Sequence, residues 1–236
     1  MPPPELLIDR AAPCRRIELD ATSWVDVVEG FVPSAAERMA ELVEGVEWAQ
    51  GEVLRYDRYV AEQRLGAGWR SDRHPLTRQI DLHLRGAYRV PFDGVAAILY
   101  RDGSDFLGLH SDREMKWLDD TRIAIVVLGE RRRFVLRRRG PWLESVAARI
   151  PQGDDPDDVV LTPGDGDMIV MGGRCQRDWM HGIPAESAPG RTVGPRLSLT
   201  WRWTDRRGAP DTRPSYFDGR QFSDAPRRPG TRSRRP

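Results

Sequence analysis

The sequence predicts a mainly β (α+β) fold of the sandwich or jelly-roll type, with helices in the N-terminal part. Three observations predict it: the apolar segments of the second half are short, Gly- and Pro-rich turns separate them, and the helical patterns come earlier in the chain. Such short strands are typical of antiparallel sheets. The 236 residues suit one domain with extra segments or at most two small domains, and a net charge of +1 does not indicate a globally basic nucleic-acid binder.

The N-terminal part is predicted to contain a loose leader over residues 1–15 and then, over 16–92, helices packed on the core. A helix is expected after Pro33, because Ser34 and Glu37 have the spacing of a capping box. Its apolar face would carry Met39, Leu42, Val43 and Val46. A second helix is expected from Pro75 to Leu84.

Residues 93–204 are predicted to form the jelly-roll core, and 16–204 to fold as one domain. Apolar runs and turn signals predict strands at Val95–Tyr100, Ile123–Leu128, Phe134–Leu136, Met168–Met171 and Arg196–Thr204. Residues 205–236 change to Arg, Pro, Gly and Asp, which predicts a disordered tail. That tail either adds non-specific attraction to phosphates or is solvated without a role.

Two cysteines, Cys14 and Cys175, stand far apart without a CxxC pair, so neither a disulfide nor structural zinc is expected. This fits a reducing cytosol, and we expect a cytoplasmic monomer. Residues 1–7 lack the pattern of a signal peptide, and no apolar run approaches membrane-spanning length. A membrane partner is therefore not expected.

The chain has four histidines, and two of them fit a metal site. His110 and Asp112 form an H-x-D triplet, whose alternate side chains point the same way in extended backbone. His181, after a strand and a Gly-rich turn, would complete the two-His, one-carboxylate triad of non-haem Fe(II) oxygenases. A lone H-x-D triplet is more often an N-cap or a surface pair. His74 and His83 are interpreted as structural or surface residues.

The last strand alternates Arg, Ser, Thr and Arg with Leu and Trp, so that Arg196 and Arg202 share one face. If that face is buried, its two guanidiniums need anions, because an unpaired buried charge is costly. A dicarboxylate would satisfy both through charge-assisted hydrogen bonds. The alternative is an amphipathic edge strand with its arginines in water.

These motifs, taken in order over Val95–Trp203, resemble the AlkB family of Fe(II)/2-oxoglutarate-dependent dioxygenases. The matching pieces are Tyr100-Arg101-Asp102-Gly103, Gly108 to Glu114, Ile123-Ala124, Leu128-Gly129, Arg133-Phe134, Gly166 to Gly173, Gln176, Trp179, His181, Pro184 and the R-x5-R strand from Arg196 to Arg202. The resemblance implies a double-stranded β-helix that oxidises alkyl groups on nucleic-acid bases. It implies Fe(II) as cofactor, with 2-oxoglutarate and O2 as cosubstrates.

The resemblance also implies roles for individual residues. His110, Asp112 and His181 would be the catalytic metal ligands. Arg196 would pair with the distal carboxylate of 2-oxoglutarate, helped by the Tyr100 hydroxyl, while Arg202 would lie near Asp112 and the chelating end. Ser198 would supply another polar contact. Ile98 departs from the family pattern, which usually has Asn there, and this removes one expected hydrogen bond to the cosubstrate.

By the same resemblance, substrate contacts would come from Glu114, which would meet the target base, and from Arg58–Trp69, the expected lid over the nucleotide within residues 16–92. Trp69 would stack on a base or pack in the core or lid. Arg133 lies in the first of two Arg-rich segments, residues 131–133 and 137–139, which would grip phosphates or form a solvated hairpin.

The resulting hypothesis is oxidative dealkylation of N-alkylated bases in DNA that is single-stranded or has the base flipped out. One alternative is the same chemistry on RNA, tRNA or a small molecule. Others are a nucleic-acid-binding module without catalysis, and a jelly-roll protein that binds a sugar or a metal.

Overall fold

The computed structural model describes residues 5–55, 58–112, 115, 118–140, 155–186 and 192–204, without the side chains of 53–55 and 58–60. The strands of these ranges, numbered in chain order, are β1 (Cys14–Glu18), β2 (Ser23–Val28), β3 (Ala49–Arg55), β4 (Arg58–Trp69), β5 (Val95–Tyr100), β6 (Leu107–His110), β7 (Thr121–Gly129), β8 (Phe134–Arg138), β9 (Val159–Leu161), β10 (Met168–Gly173), β11 (Trp179–Ile183) and β12 (Arg196–Thr204). The helices are α1 (Ala35–Glu44), α2 (Pro75–Tyr88) and α3 (Cys175–Asp178), and a turn of 3-10 helix (Ser71–Arg73) precedes α2. Within these ranges, no helix combines the length and apolarity needed to cross a membrane.

The strands form two antiparallel sheets that pack against each other. The larger sheet has eight strands in the order β1-β2-β10-β7-β12-β5-β4-β3, and the smaller has four in the order β6-β11-β8-β9. The mainly β, jelly-roll prediction is therefore confirmed. Non-consecutive neighbours such as β7 and β12 show that long connections bring the C-terminal strand into the centre of the larger sheet.

Two apolar layers hold the sheets in place. One layer packs the larger sheet against α1 and α2 and includes Leu42, Ile80 and Trp201. The other lies between the two sheets and includes Val127 and Leu136. The central strands of the larger sheet are therefore covered on both faces. Because alternate residues of a strand point to opposite faces, nearly every side chain of these strands is buried, which explains their uninterrupted apolar runs.

The N-terminal segment is not a loose leader in its described part. Leu7 and Ile8 are 7% and 3% exposed and belong to the apolar layer under the helices. The backbone N–H of Asp9 donates to the carbonyl of Phe31 at 2.8 Å, and β1 already begins at Cys14. The prediction over 1–15 is wrong for residues 5–15 because these apolar side chains cover the core. The predicted tail, 205–236, lies outside the described residues.

Both predicted helices are confirmed, but the capping box is not. Ser34 adopts a left-handed conformation (φ 53) and its side chain makes no capping hydrogen bond. Its backbone carbonyl instead accepts from the N–H groups of Glu37 and Arg38. In α2, the Nδ1 atom of His74 accepts from the backbone N–H of Leu76 at 3.2 Å. His74 therefore has a structural role, as interpreted from the sequence.

Two glycines allow a paired test of the fold. Gly173 has φ +66, and a Cβ there would clash with the backbone carbonyl of Thr22, whereas a Cβ on Gly86 in α2 meets no atom. We expect Gly173→Ala to lower the free energy of unfolding by at least about 2 kcal/mol. Gly86→Ala should raise it by roughly 0.5–1 kcal/mol. Urea denaturation measures both, and equal effects would contradict the strain assigned to Gly173.

Candidate metal centre and cosubstrate pocket

The smaller sheet brings the two predicted histidines together. His110 at the end of β6 and His181 in β11 are direct partners in the antiparallel register. Their ring centroids lie 4.3 Å apart. Asp112 follows β6 by two residues, and one potential ligand atom from each of the three side chains lies within 4.8 Å of the others. Among the described residues, this is the group of His, Cys, Asp and Glu side chains that could hold a metal ion.

Each imidazole has surroundings that suit a metal ligand. The Nδ1 atom of His110 is 2.9 Å from the carbonyl of Gly108, so a proton on Nδ1 leaves Nε2 free to coordinate. That Nε2 is 3.5 Å from Oδ1 of Asp112. The ring of His181 stacks on Phe134, and its Nδ1 is buried without a hydrogen-bond partner among the described residues. A cation held by the three side chains would give the buried His181 ring a polar partner.

Asp112 is held from two sides. Its backbone N–H donates to Oε1 of Gln176 at 3.1 Å, and Arg202 Nε donates to its Oδ2 at 2.6 Å. Burial opposes ionisation of this carboxyl, but Arg202 and the imidazoles outweigh it and hold its pKa well below the usual range. Asp112 is therefore an anion, as a carboxylate that binds a metal must be, and its Oδ1 faces Nε2 of His110.

Burial, reinforced by the charges of His110 and Arg202, lowers the pKa of His181 to about 3 in the metal-free protein. Its neutral form, which binds metals, is therefore present at every pH at which the protein would work. The donor set of two imidazoles and one carboxylate fits Fe(II) and leaves coordination positions open.

The pKa of His181 predicts how the stability of the metal-free protein depends on pH. In the unfolded chain this imidazole titrates near the ordinary value of about 6.5, so between pH 6.5 and 3 the unfolded state binds more protons. Stability is therefore complete above pH 6.5 and is lost as pH falls toward 3. We expect His181→Asn to flatten this loss in thermal unfolding between pH 7 and 4. An unchanged slope would contradict the burial of a neutral imidazole.

The polar face of β12 points into the space between the sheets. Arg196 is 0% exposed, and its Nη1 and Nε donate to the carbonyl of Pro163 at 3.0 Å and the hydroxyl of Ser198 at 3.3 Å. Its Nη2 is buried without a partner, and within the described ranges no carboxylate forms an ion pair with it. Burial lowers the pKa of Arg196 to about 10. A guanidinium of this kind fits an anionic ligand, because leaving it unpaired is costly.

Tyr100 lies directly opposite Arg196 across the β5–β12 pairing and is also buried. Burial raises the pKa of its hydroxyl, so Tyr100 is a neutral hydrogen-bond donor. Ile98 is the register partner of Ser198, and its half-buried side chain packs against the layer between the sheets. The position where the resemblance expects Asn therefore offers apolar surface to the same pocket.

Trp69 is not placed to stack on a base. It is 5% exposed and belongs to the apolar layer under α1 and α2. Trp69 pairs with Val95 in β5, whose side chain lies in the same layer. Tyr100 lies instead in the layer between the sheets. The prediction that Trp69 stacks on a base is therefore wrong, and the alternative, packing in the core, is confirmed. The reason is that alternation along the strand points the indole toward the helices and away from the face of the larger sheet that meets the smaller sheet.

The two Arg-rich segments are not a wholly solvated hairpin, because two of their arginines, Arg132 and Arg137, are buried. Arg132 is 1% exposed and donates to two backbone carbonyls. Arg137 is buried and forms two hydrogen bonds of 2.6 Å to Asp158. Arg133 lies just before β8, and its backbone N–H donates to Glu186. Its substrate role stays a prediction, and Glu114 lies outside the described residues.

Sequence patterns did not single out several residues of this site. Ser111, between the two ligands, donates to the carbonyl of Trp179 at 2.8 Å and so ties the H-x-D turn to β11. Arg64 in β4 and Arg132 both act on Tyr100 through their positive charges. The Arg-rich segment 131–133 was visible in the sequence, but no local sequence feature predicts that Arg132 is buried whereas Arg131 is exposed.

Comparisons with known proteins agree with this site. The profile of the 2OG-Fe(II) oxygenase superfamily matches residues 33–202. The Arabidopsis thaliana protein "DNA oxidative demethylase ALKBH2" is 31% identical over 137 residues, which cover 54% of this chain but 43% of that protein. The human "Alpha-ketoglutarate-dependent dioxygenase alkB homolog 3" is 28% identical over 209 residues, which cover 80% of this chain and 69% of the relative.

A solved structure shares the fold. It is a prolyl hydroxylase in complex with a hypoxia inducible factor peptide fragment, from Trichoplax adhaerens. Its TM-score is 0.53 at 10% sequence identity, over 77% of this chain and 84% of that chain. Since the superfamily profile covers most of the chain and includes all three candidate ligands, the chain belongs to the 2OG-Fe(II) oxygenase superfamily, within which it is similar to AlkB-type demethylases.

Proposed function

We propose that the protein removes alkyl groups from N-alkylated bases in DNA by Fe(II)- and 2-oxoglutarate-dependent oxidation. The observation that supports this is one convergence of groups: the ligand atoms of His110, Asp112 and His181 lie within 4.8 Å of one another, and Arg196, on the inward face of β12, is buried without a counterion among the described residues. A metal triad alone would fit many sites. Here Arg202 links the triad to β12 through its hydrogen bond to Asp112. Because β12 also carries the buried guanidinium of Arg196, which no described carboxylate pairs with, the site fits an anionic cosubstrate.

Each residue of the site would have a role that follows from its position. His110, Asp112 and His181 would hold Fe(II), and Arg202 keeps Asp112 ionised and oriented through its 2.6 Å hydrogen bond. Arg196 would receive the distal carboxylate of 2-oxoglutarate, with the neutral Tyr100 hydroxyl as a further donor. Burial of this pocket strengthens each of these interactions by excluding water.

Bound Fe(II) with 2-oxoglutarate and O2 supplies the oxidant that hydroxylates a C–H bond, with succinate and CO2 as coproducts. Hydroxylation of a carbon attached to a ring nitrogen gives a product that breaks its C–N bond, releasing an aldehyde and the unmodified base. A base inside a duplex cannot reach such a pocket, so the substrate must be single-stranded or flipped out. DNA as substrate is supported by the name of the Arabidopsis relative.

The decisive experiment compares substrates of matched sequence. Purified protein with Fe(II), 2-oxoglutarate and ascorbate would be given single-stranded DNA with 1-methyladenine or 3-methylcytosine, RNA of the same sequence, and free methylated nucleosides. We expect succinate release and loss of the methyl group by mass spectrometry with DNA. Turnover of RNA alone would contradict the DNA assignment. Binding of DNA without turnover of any substrate would indicate a non-catalytic binding module.

A further inference from the structure

A second guanidinium is buried beside the proposed carboxylate pocket. Arg132 is 1% exposed, and its Nη1 and Nη2 donate to the carbonyls of Asp102 at 3.1 Å and Pro184 at 2.7 Å. Its Nε is buried without a hydrogen-bond partner among the described residues. The two carbonyls fix the position of the guanidinium, but no described residue supplies a counterion for its charge.

Arg132 and Arg196 are both neighbours of Tyr100. The Cζ atom of Arg132 is 5.5 Å from the centroid of Tyr100, which is the cross-strand partner of Arg196. Burial lowers the pKa of Arg196, and the positive charge of Arg132 lowers it further. The two cations are therefore close enough to repel each other inside the protein.

The neighbouring acids act on this pair only from a distance. Asp167 and Glu186 act on Arg196 at a distance. However, the carboxylate of Asp167 accepts from the backbone N–H groups of Gly30 and Gly164, and that of Glu186 accepts from the N–H of Arg133. No ion pair between Arg132 and a carboxylate occurs within the described ranges. Two buried like charges without an anion destabilise the ligand-free protein, and a ligand that brings an anion would relieve this cost.

We propose that Arg132 is a specificity-determining residue for the cosubstrate, and that its charge makes the pocket select a 2-oxo dicarboxylate over a 2-oxo monocarboxylate of the same chain length. Arg196 would form the direct contact with the distal carboxylate, while Arg132, beside Tyr100, would add electrostatic attraction for the same carboxylate. Ile98 offers no polar group to the same pocket, which leaves the guanidiniums to carry more of the recognition. The proposal rests on 2-oxoglutarate as cosubstrate and is independent of the nucleic-acid substrate.

The test measures binding rather than turnover. Isothermal titration calorimetry with Mn(II) in place of Fe(II) would compare 2-oxoglutarate with 2-oxopentanoate, which has the same number of carbons but lacks the distal carboxylate. We expect Arg132→Met to weaken 2-oxoglutarate binding at least about tenfold and to change 2-oxopentanoate binding less than about twofold. Arg132→Gln, which keeps hydrogen-bond donors but loses the charge, should behave like Arg132→Met and serves if the latter does not fold. Arg138→Gln, at an exposed position of β8, is the matched control.

Three outcomes would overturn the proposal. Equal weakening of both ligands would show that Arg132 only shapes the pocket, and unchanged binding of both would show that its charge does not reach the ligand. If the wild-type protein binds Mn(II) but not 2-oxoglutarate, the cosubstrate assignment itself is wrong. A failure to demethylate DNA, with the expected difference between the two ligands intact, would contradict only the proposed nucleic-acid substrate.

Discussion

Replacement of His110 by alanine is expected to reduce succinate release on methylated DNA by at least about 100-fold, a larger effect than loss of a residue that merely orients a ligand. His110 is the register partner of His181, and its Nε2 lies 3.5 Å from Asp112. Its removal leaves one imidazole and one carboxylate, which cannot hold Fe(II) in the facial arrangement that the chemistry needs. Mn(II) affinity, measured by calorimetry without turnover, should fall together with activity.

His83→Ala is the matched control for this variant. His83 lies in α2 with its ring centroid 5.0 Å from that of Phe31, on the helical side of the larger sheet. Its removal should leave Mn(II) affinity and turnover within about twofold of wild type, since surface and helix substitutions away from a site have small effects. Equal activity of His110→Ala and wild type would refute the iron assignment.

Replacement of Arg196 by methionine is expected to act in opposite directions on binding and on stability. The KM for 2-oxoglutarate should rise by at least about 30-fold, because loss of one partner from a buried, hydrogen-bonded charge pair costs roughly 2 kcal/mol or more. The ligand-free protein should be at least as stable as wild type, since methionine removes a buried charge for which the described part of the chain offers no counterion. Succinate release at varied 2-oxoglutarate concentrations gives the KM, and thermal unfolding without 2-oxoglutarate gives the stability of the ligand-free protein.

In wild type, 2-oxoglutarate at a concentration near its Kd should raise Tm, and at the same concentration this shift should nearly disappear in Arg196→Met. Arg138→Met, at an exposed position of β8, controls for loss of a positive charge. A lower Tm in the absence of ligand together with an unchanged KM would show that Arg196 is a structural residue and would contradict the proposed pocket.

Five of the twelve described strands (β5, β7, β8, β10 and β12) could be read from local patterns, whereas β1–β4, β6, β9 and β11 were not predicted. The predicted strands at Val95–Tyr100 and Arg196–Thr204 coincide with β5 and β12, because apolar alternation and turn residues are local properties of the chain. The residues 5–15 could not be read in this way. In the sequence, Leu7 and Ile8 are only a short apolar stretch in a Pro-rich segment. They become core residues because they pack into the apolar layer under α1 and α2.

The site shows the same division. Candidate ligands were visible because histidines are few and H-x-D spacing places two side chains on one side of extended backbone. Trp69 and Arg132 were misjudged because aromatic and arginine side chains occur both in cores and on surfaces. Their exposure depends on which strand lies beside them and which face is covered.

The sequence by itself determined the strand alternation, the face of β12 that carries Arg196, and the chemical identity of the metal ligands. Only the tertiary structure decided that β6 pairs with β11, so that His110 meets His181, and that Arg132 lies buried beside Tyr100. The physical reason is that side-chain direction within a strand follows from backbone geometry, whereas the pairing of distant strands depends on the packing of the whole chain.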